Sequence, residues 1–223
     1  MRYNNPMFDK EEYESIRQRI DGKAVLCAVS KMHSTEEIRT AYDLGQRIFA
    51  ENKAQELCAK APQLPKDIEW HFIGHLQRNK VKQILPYVSC IQSLDSLRLA
   101  EAIEHAAAAE NRTVSCLIEL HLAESDTNKT GMSIPEAEDL LQRRGEFPHL
   151  QIDGLMAMGP HTDDPSAIRE VFHRAAGLFQ KFREEVPSMH ILSMGMSDDY
   201  TIALEEGSTM IRVGSRLFQK GGV

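Results

Sequence analysis

Several features that would assign the protein to a broad class are missing from its 223 residues. The four cysteines lack Cys-x-x-Cys spacing and the nine histidines lack the His-Glu-x-x-His pattern, so neither disulfides nor a zinc site is predicted. No apolar run approaches the roughly 18 residues of a membrane span, and residues 1–14 are too polar for a signal peptide. The net charge of −7 offers no basic excess for nucleic acid. We expect a cytoplasmic protein without metal, membrane or nucleic-acid partners.

The sequence does contain a regular alternation of short apolar runs and segments of helical spacing. Near-continuous apolar runs without tandem hairpin signals predict parallel strands. An open doubly wound sheet is one alternative, but eight such runs favour an α/β fold with a single (β/α)8 TIM-type barrel. We expect one domain over residues 1–223, with an extra N-terminal helix at 11–22 outside the barrel. The predicted strands are 25–29, 47–50, 70–73, 88–92, 114–120, 152–156, 191–193 and 209–212.

Three of the predicted helices have informative ends. Residues 35–44 are followed by Gly45, a common helix stop. Residues 94–110 are rich in Ala and Leu, which favour helix. Residues 197–206 begin with Ser197, which we expect to cap the helix, and two aspartates follow in the first turn.

Lys31 directly follows the first predicted strand, so it belongs to the barrel face that carries active sites in this fold. One interpretation is an ordinary solvated strand end. The other is an amine that forms a Schiff base with an aldehyde, for which the amine must be partly neutral, and burial beside apolar walls lowers the pKa of an amine. Position alone does not decide between them.

Two turns rich in small residues follow the last two predicted strands. Gly195, Met196 and Ser197 follow the seventh strand, and Gly214 and Ser215 follow the eighth. Barrel phosphate sites are frequent at these loops, where glycines let backbone N–H groups approach an anion. An amine and a phosphate site on one face together suggest an aldehyde cofactor that carries a phosphate, namely pyridoxal 5'-phosphate (PLP).

Three further residues are candidates for the same face. Arg212 lies within the eighth strand and needs an acceptor, either a carboxylate in an ion pair or the pyridine nitrogen of PLP. Asn52 follows the second strand and either caps the next helix or bonds a ring substituent. Lys129, on the loop after the fifth strand, is either a solvated lysine or a second amine that accepts PLP transiently.

The chain closely resembles the family of pyridoxal phosphate homeostasis proteins, which have the fold-type III barrel of the alanine racemase N-terminal domain. The short motifs that carry this resemblance are Ala-Val-Ser-Lys at 28–31, Phe-Ala-Glu-Asn at 49–52 with Gln-Glu at 55–56, Lys-Thr-Gly at 129–131 and Gly-Leu-Met-Ala-Met at 154–158. Three longer segments, 70–80, 192–199 and 206–215, carry it as well.

The resemblance implies that Lys31 forms the Schiff base with PLP and that Arg212 meets the pyridine nitrogen. It also implies that Ser197, Gly214 and Ser215 help to bind the phosphate. Asn52 is expected near the ring, and Met196 is included among the cofactor-binding residues. The chain departs from the family at Ala50, where glycine is usual, and at the residues 32–33 after the lysine.

Two functions are compatible with such a site: a non-catalytic carrier that buffers or delivers PLP, and a single-domain PLP enzyme such as a racemase. Racemisation needs acid–base groups on both faces of the substrate. In alanine racemases a separate C-terminal domain supplies one of them, whereas this sequence ends at Val223, soon after the eighth strand. We therefore expect a monomeric, non-catalytic protein of PLP homeostasis that exchanges PLP with apo forms of PLP-dependent enzymes.

Overall fold

The protein forms a closed barrel of eight parallel strands, in a computed structural model that describes residues 7–122 and 130–219. Helices alternate with these strands, as the (β/α)8 prediction required. The predicted strand limits agree with the observed ones to within two residues. The barrel strands are β2 (Val25–Val29), β3 (Ile48–Glu51), β4 (Glu69–Phe72), β5 (Val88–Leu94), β6 (Val114–Leu120), β7 (Leu150–Ala157), β8 (Ile191–Ser193) and β9 (Met210–Val213).

Eight α-helices lie within the described ranges, and several begin or end where local chemistry requires. Ser34 and Glu37 form a capping box at the start of α2, and Ser133 and Glu136 form another at α6. Gly45 follows α2 with a φ of +100°, which glycine adopts readily. The helices are α1 (Lys10–Ile20), α2 (Thr35–Asp43), α3 (Ala54–Lys60), α4 (Val81–Ile84), α5 (Leu97–Ala109), α6 (Ile134–Gln142), α7 (Pro165–Glu185) and α8 (Tyr200–Glu205).

Two predicted helix starts are wrong. The helix expected from Ser197 begins at Tyr200, because the Asp199 carboxylate accepts the Met196 N–H at 2.5 Å and holds the intervening residues in a turn. The helix expected from Leu94 begins later, because Leu94 still pairs with β6 and Ser96 caps the helix instead.

The predicted N-terminal helix is α1, which packs outside the barrel through Tyr13, Ile16 and Ile20. Next to it, β1 (Met7–Phe8) and β10 (Phe218–Gln219) form a two-stranded antiparallel sheet that was not predicted. A strand of two residues is too short to show the alternation of apolar and polar residues by which a strand is recognised in a sequence. The single-domain assignment over residues 1–223 stays a prediction.

The barrel interior contains both apolar and polar side chains. Cys27, Val29, Ala50 and Met210 form one apolar cluster, and Cys90, Leu117 and Met156 form another. The larger core lies between the barrel and its helices. All four cysteines are free thiols, and burial raises the pKa of Cys27 and Cys90 to about 12. Across the described ranges, every helix is too short or too polar to cross a membrane.

Candidate functional site

The residues predicted to bind a ligand come from four consecutive strands of the barrel. The strand order places β8, β9, β2 and β3 side by side, and their carboxyl ends share one rim. Ser197 follows β8, Arg212 lies in β9, Lys31 follows β2 and Asn52 follows β3. The closed barrel thus brings together residues that are up to 181 positions apart, from Lys31 to Arg212.

The two turns rich in small residues are in direct contact. The backbone N–H of Gly214 donates to the Oγ of Ser197 at 3.4 Å, and the Arg216 side chain donates to the carbonyl of Ser197 at 2.6 Å. Ser197 is buried, Gly214 is half-buried, and Ser215 is exposed. Met196 is 41% exposed at the same turn. The predicted phosphate-binding residues therefore form one continuous patch of the rim.

Gly195 makes this arrangement possible. Its φ is +93°, and a Cβ at this position would lie 2.9 Å from the Cα of Tyr200. Only glycine can take this conformation so close to the first turn of α8. The turn after β8 is therefore set by tight backbone packing rather than by a serine cap.

Arg212 is buried in the barrel interior, and no carboxylate of the described residues forms the ion pair considered from the sequence. Its Nη1 donates to the carbonyl and to the Oγ of Ser193, both at 2.8 Å, and its Nη2 donates to the carbonyl of Ala157 at 3.0 Å. Asp199 and Glu119 act on it only through longer-range charge. Burial lowers the pKa of Arg212, but a guanidinium still carries its charge at neutral pH.

Arg212 is the first member of a chain of polar side chains that crosses the barrel interior. Ser193 donates to the Oε1 of Gln92 at 2.6 Å, and the Nε2 of Gln92 lies 2.7 Å from the Nδ1 of His71. All four side chains are buried, and burial lowers the pKa of His71 to about 4. His71 is therefore neutral at physiological pH.

The sequence analysis did not predict this row of hydrogen-bonded side chains. It places His71, Gln92 and Ser193 only within predicted strands or motifs. A signal was available, because each is a polar residue within an otherwise apolar run. What the sequence does not provide is the register that makes β5 and β8 contribute to the same layer.

Lys31 lies at the predicted face, and its side chain is exposed rather than buried beside the apolar walls considered from the sequence. Lys31 stands two residues beyond β2, where the chain has already left the sheet. Its amine is accordingly accessible from solvent. Lys129 lies outside the described residues.

Asn52 is half-buried at the rim and does not cap the following helix, since Lys53 occupies the N-cap position of α3. Gly74, at the end of the neighbouring strand, packs against the Asn52 backbone so tightly that a Cβ there would overlap the Asn52 carbonyl oxygen. The chain after β3 and the chain after β4 therefore approach each other closely at this point of the rim.

The fold and this rim define a protein of the alanine racemase N-terminal class, and residues 10–220 match the family model described as alanine racemase, N-terminal domain. Within that class, the chain belongs to the family of pyridoxal phosphate homeostasis proteins. It is 36% identical to the protein of that name from Aquifex aeolicus, over 87% of this chain and 86% of the relative. It is 34% identical to the one from Pasteurella multocida, over 90% and 88%.

A solved structure agrees with this assignment. PipY of Synechococcus elongatus, with PLP bound, is 33% identical and superimposes with a TM-score of 0.86 over 93% of this chain and 98% of PipY.

Proposed function

We propose that the protein binds PLP at the rim formed by β8, β9, β2 and β3 and serves PLP homeostasis. The observation that carries the proposal is the Arg212 guanidinium, which is buried in the barrel interior below two touching glycine–serine turns. Arginine has five N–H donors and no acceptor. Three bonds to Ser193 and Ala157 hold Arg212 in place, which leaves donors for a ring nitrogen. The PLP-bound state of PipY supports the choice of ligand.

Each rim residue has a defined task in this proposal. Lys31 would hold the aldehyde group of PLP through a Schiff base, formed with release of water. Arg212 would donate to the pyridine nitrogen, with Asn52 beside the ring. Ser197, with Gly214 and Ser215, would donate to the phosphate, with Met196 at its border. These residues fit PLP because they offer an amine, a fixed cation and an anion site in one patch.

We propose further that the protein carries PLP without substantial catalysis. PLP supplies an electron sink when its pyridine nitrogen is protonated. Arg212 can only donate to that nitrogen, so the nitrogen stays unprotonated and the sink is weak. The relatives named as homeostasis proteins support this assignment. We infer a cytoplasmic monomer that exchanges PLP with apo PLP-dependent enzymes, and free thiols suit such a reducing compartment.

The test is the visible spectrum of the purified protein with PLP, before and after borohydride, followed by peptide mapping. We expect a yellow species that borohydride bleaches and a reduced adduct on Lys31. Lys31→Ala should lose the yellow absorbance and keep the far-UV circular dichroism. Lys23→Ala is the matched control, because Lys23 is an exposed lysine near the opposite end of the same strand. An adduct chiefly on another lysine would refute the assignment.

A further inference from the structure

A buried ion-pair cluster lies directly beneath the turn that carries Lys31. The Nζ of Lys60, at the end of α3, lies 2.8 Å from the Oε1 of Glu51 and 2.9 Å from the Oε2 of Glu56. The side chain of Glu51 is completely buried and that of Lys60 is only 11% exposed. Both glutamates belong to sequence motifs of the family, yet neither has a task in the PLP site described above.

The cluster holds the backbone on both sides of Lys31. Lys60 also donates to the carbonyl of Ser30 at 2.9 Å, and the Oε2 of Glu56 accepts the N–H of Met32 at 2.8 Å. The Oγ of Ser30 donates to Glu51 at 2.7 Å. The residue before Lys31 is thus bound to Lys60 and Glu51, and the residue after it is bound to Glu56, which pairs with the same Lys60.

The turn needs such support. Met32 has a φ of +66°, which is uncommon for a residue with a side chain, and that side chain is 79% exposed. Exposed surroundings cannot hold an unfavourable backbone conformation by packing. The His33 N–H closes the turn by donating to the Ser30 carbonyl at 3.1 Å, and the bond from the Met32 N–H to Glu56 is the side-chain contact that holds Met32 within it.

We propose that Glu51, Glu56 and Lys60 form an ion-pair clamp that fixes the backbone at Lys31 and thereby positions its amine for the cofactor aldehyde. This inference rests on the proposed function. The three are positioning residues: they bind the chain around Lys31. The clamp fixes the position of the Cα from which the exposed Lys31 side chain extends.

The charges of the clamp are mutually dependent. Burial raises the pKa of Glu51, and the hydrogen bond and charge of Lys60 oppose this rise. Burial also acts to raise the pKa of Glu56, but the Met32 N–H and Lys60 outweigh it and lower that pKa. The second carboxylate oxygen of Glu51 has no hydrogen-bond partner within the described residues. Lys60 is therefore the group on which both carboxylates depend.

The experiment compares two ligands that differ at the aldehyde. PLP can react with Lys31, whereas pyridoxine 5'-phosphate has an alcohol in place of the aldehyde and relies on the ring and phosphate contacts alone. We expect Lys60→Met and Glu56→Ala to weaken PLP binding by up to roughly tenfold, because binding to Lys31 must then restore the backbone conformation that the lost hydrogen bond no longer holds. Pyridoxine 5'-phosphate should bind the variants and the wild type equally. Borohydride capture at Lys31 should slow in parallel.

Conservative and distant variants complete the test. Glu56→Gln keeps an oxygen for the Met32 N–H and should restore most of the PLP binding. Lys181→Met breaks the 2.6 Å pair with Glu138 on the outer helices and should change neither ligand's affinity. Thermal melts check folding, and Glu56→Ala, at a partly exposed site, remains informative if Lys60→Met does not fold.

Two outcomes overturn the clamp: equal loss of both ligands, or unchanged PLP binding in both Lys60→Met and Glu56→Ala. Failure of the proposed function looks different. In that case the wild type itself would give no borohydride adduct on Lys31, and Lys31→Ala would not alter the preference for PLP over pyridoxine 5'-phosphate.

Discussion

The Nη1 of Arg212 donates to the Oγ of Ser193 at 2.8 Å, and this bond sets the direction of the two hydrogen bonds that follow it, from Ser193 to Gln92 and from Gln92 to His71. A guanidinium can only donate, so the Ser193 oxygen accepts and its own proton points to the Oε1 of Gln92. The amide nitrogen of Gln92 then faces His71, whose Nδ1 must accept. His71 therefore carries its proton on Nε2, as a consequence of a charge three side chains away.

Gln92→Glu should reverse the direction of the hydrogen bond between residue 92 and His71. A carboxylate accepts at both oxygens, so it would take the Ser193 proton and also favour a proton on Nδ1 of His71. We expect the pKa of His71 to rise by about 2 units or more from its value of about 4. NMR titration of the imidazole measures it, with Gln83→Glu on the surface of α4 as control. An unchanged His71 titration would contradict the assigned directions.

His71 should also make the stability of the fold depend on pH. Burial lowers its pKa from 6.5 to about 4 in the folded protein. Between these values the unfolded chain binds the proton and the folded chain does not, so stability falls as the pH drops through this window. The contribution is about 3 kcal/mol, from roughly 1.4 kcal/mol per pKa unit.

His71→Asn should remove this dependence, because Asn keeps an acceptor for Gln92 but does not titrate. The measurement is urea denaturation of both proteins from pH 7 to pH 4. The free energy of unfolding should fall more steeply for the wild type. Parallel curves would show that His71 is not neutral in the folded state or is not buried.

The sequence predicted the barrel because alternation and strand hydrophobicity are local properties, and Arg212 and Lys31 could be placed from strand ends alone. The start of α8 was not predicted, because the Asp199 carboxylate accepts a hydrogen bond from the N–H of Met196, three residues earlier. Ser197 followed by two aspartates is also the pattern of a helix start, so the sequence does not reveal that turn. The partner of Arg212 could not be predicted, because Ser193 reaches it only through the pairing of β8 with β9. The contact from Lys60 to Ser30 likewise depends on how α3 packs.

Two glycine substitutions should have effects of opposite sign. Gly74→Ala places a methyl group against the Asn52 carbonyl, and displacing that backbone should cost about 1–3 kcal/mol of stability. Gly177→Ala, within α7 with open space around the added carbon, should instead add about 0.5–1 kcal/mol. Chemical denaturation measures both. PLP affinity should fall only in Gly74→Ala, and equal stability changes would refute the tight contact.

Ser197→Ala should weaken the binding of PLP far more than that of unphosphorylated pyridoxal. Losing a hydrogen bond to a charged group costs roughly 1.5–3 kcal/mol, about tenfold or more in affinity. Ser215→Ala should act in the same direction. Ser188→Ala is the matched control, since this exposed serine precedes β8 at the opposite end of the strand. A similar loss for both ligands in Ser197→Ala would place the phosphate elsewhere.

The last prediction concerns turnover. In the proposed site a guanidinium faces the pyridine nitrogen, which makes the ring a poor electron sink. The exposed position of Lys31 admits water, which weakens the electrostatic preorganisation that catalysis needs. We therefore expect the PLP-loaded protein to lack racemase, transaminase and decarboxylase activity. Free amino acids should still react slowly with the bound cofactor, because an exposed C=N bond can exchange amines without help from the protein.

The assay incubates the PLP-loaded protein with a panel of L- and D-amino acids and follows enantiomer ratio and keto-acid formation. The Lys31→Ala variant with added PLP measures the background of the free cofactor, and the two rates should be of the same order. Turnover of about 1 per second or faster, the ordinary range of enzymes, would mark genuine catalysis. If such turnover appeared and vanished in Lys31→Ala, the protein would be a PLP enzyme rather than a carrier, because only a group that supports the reacting centre can produce that difference.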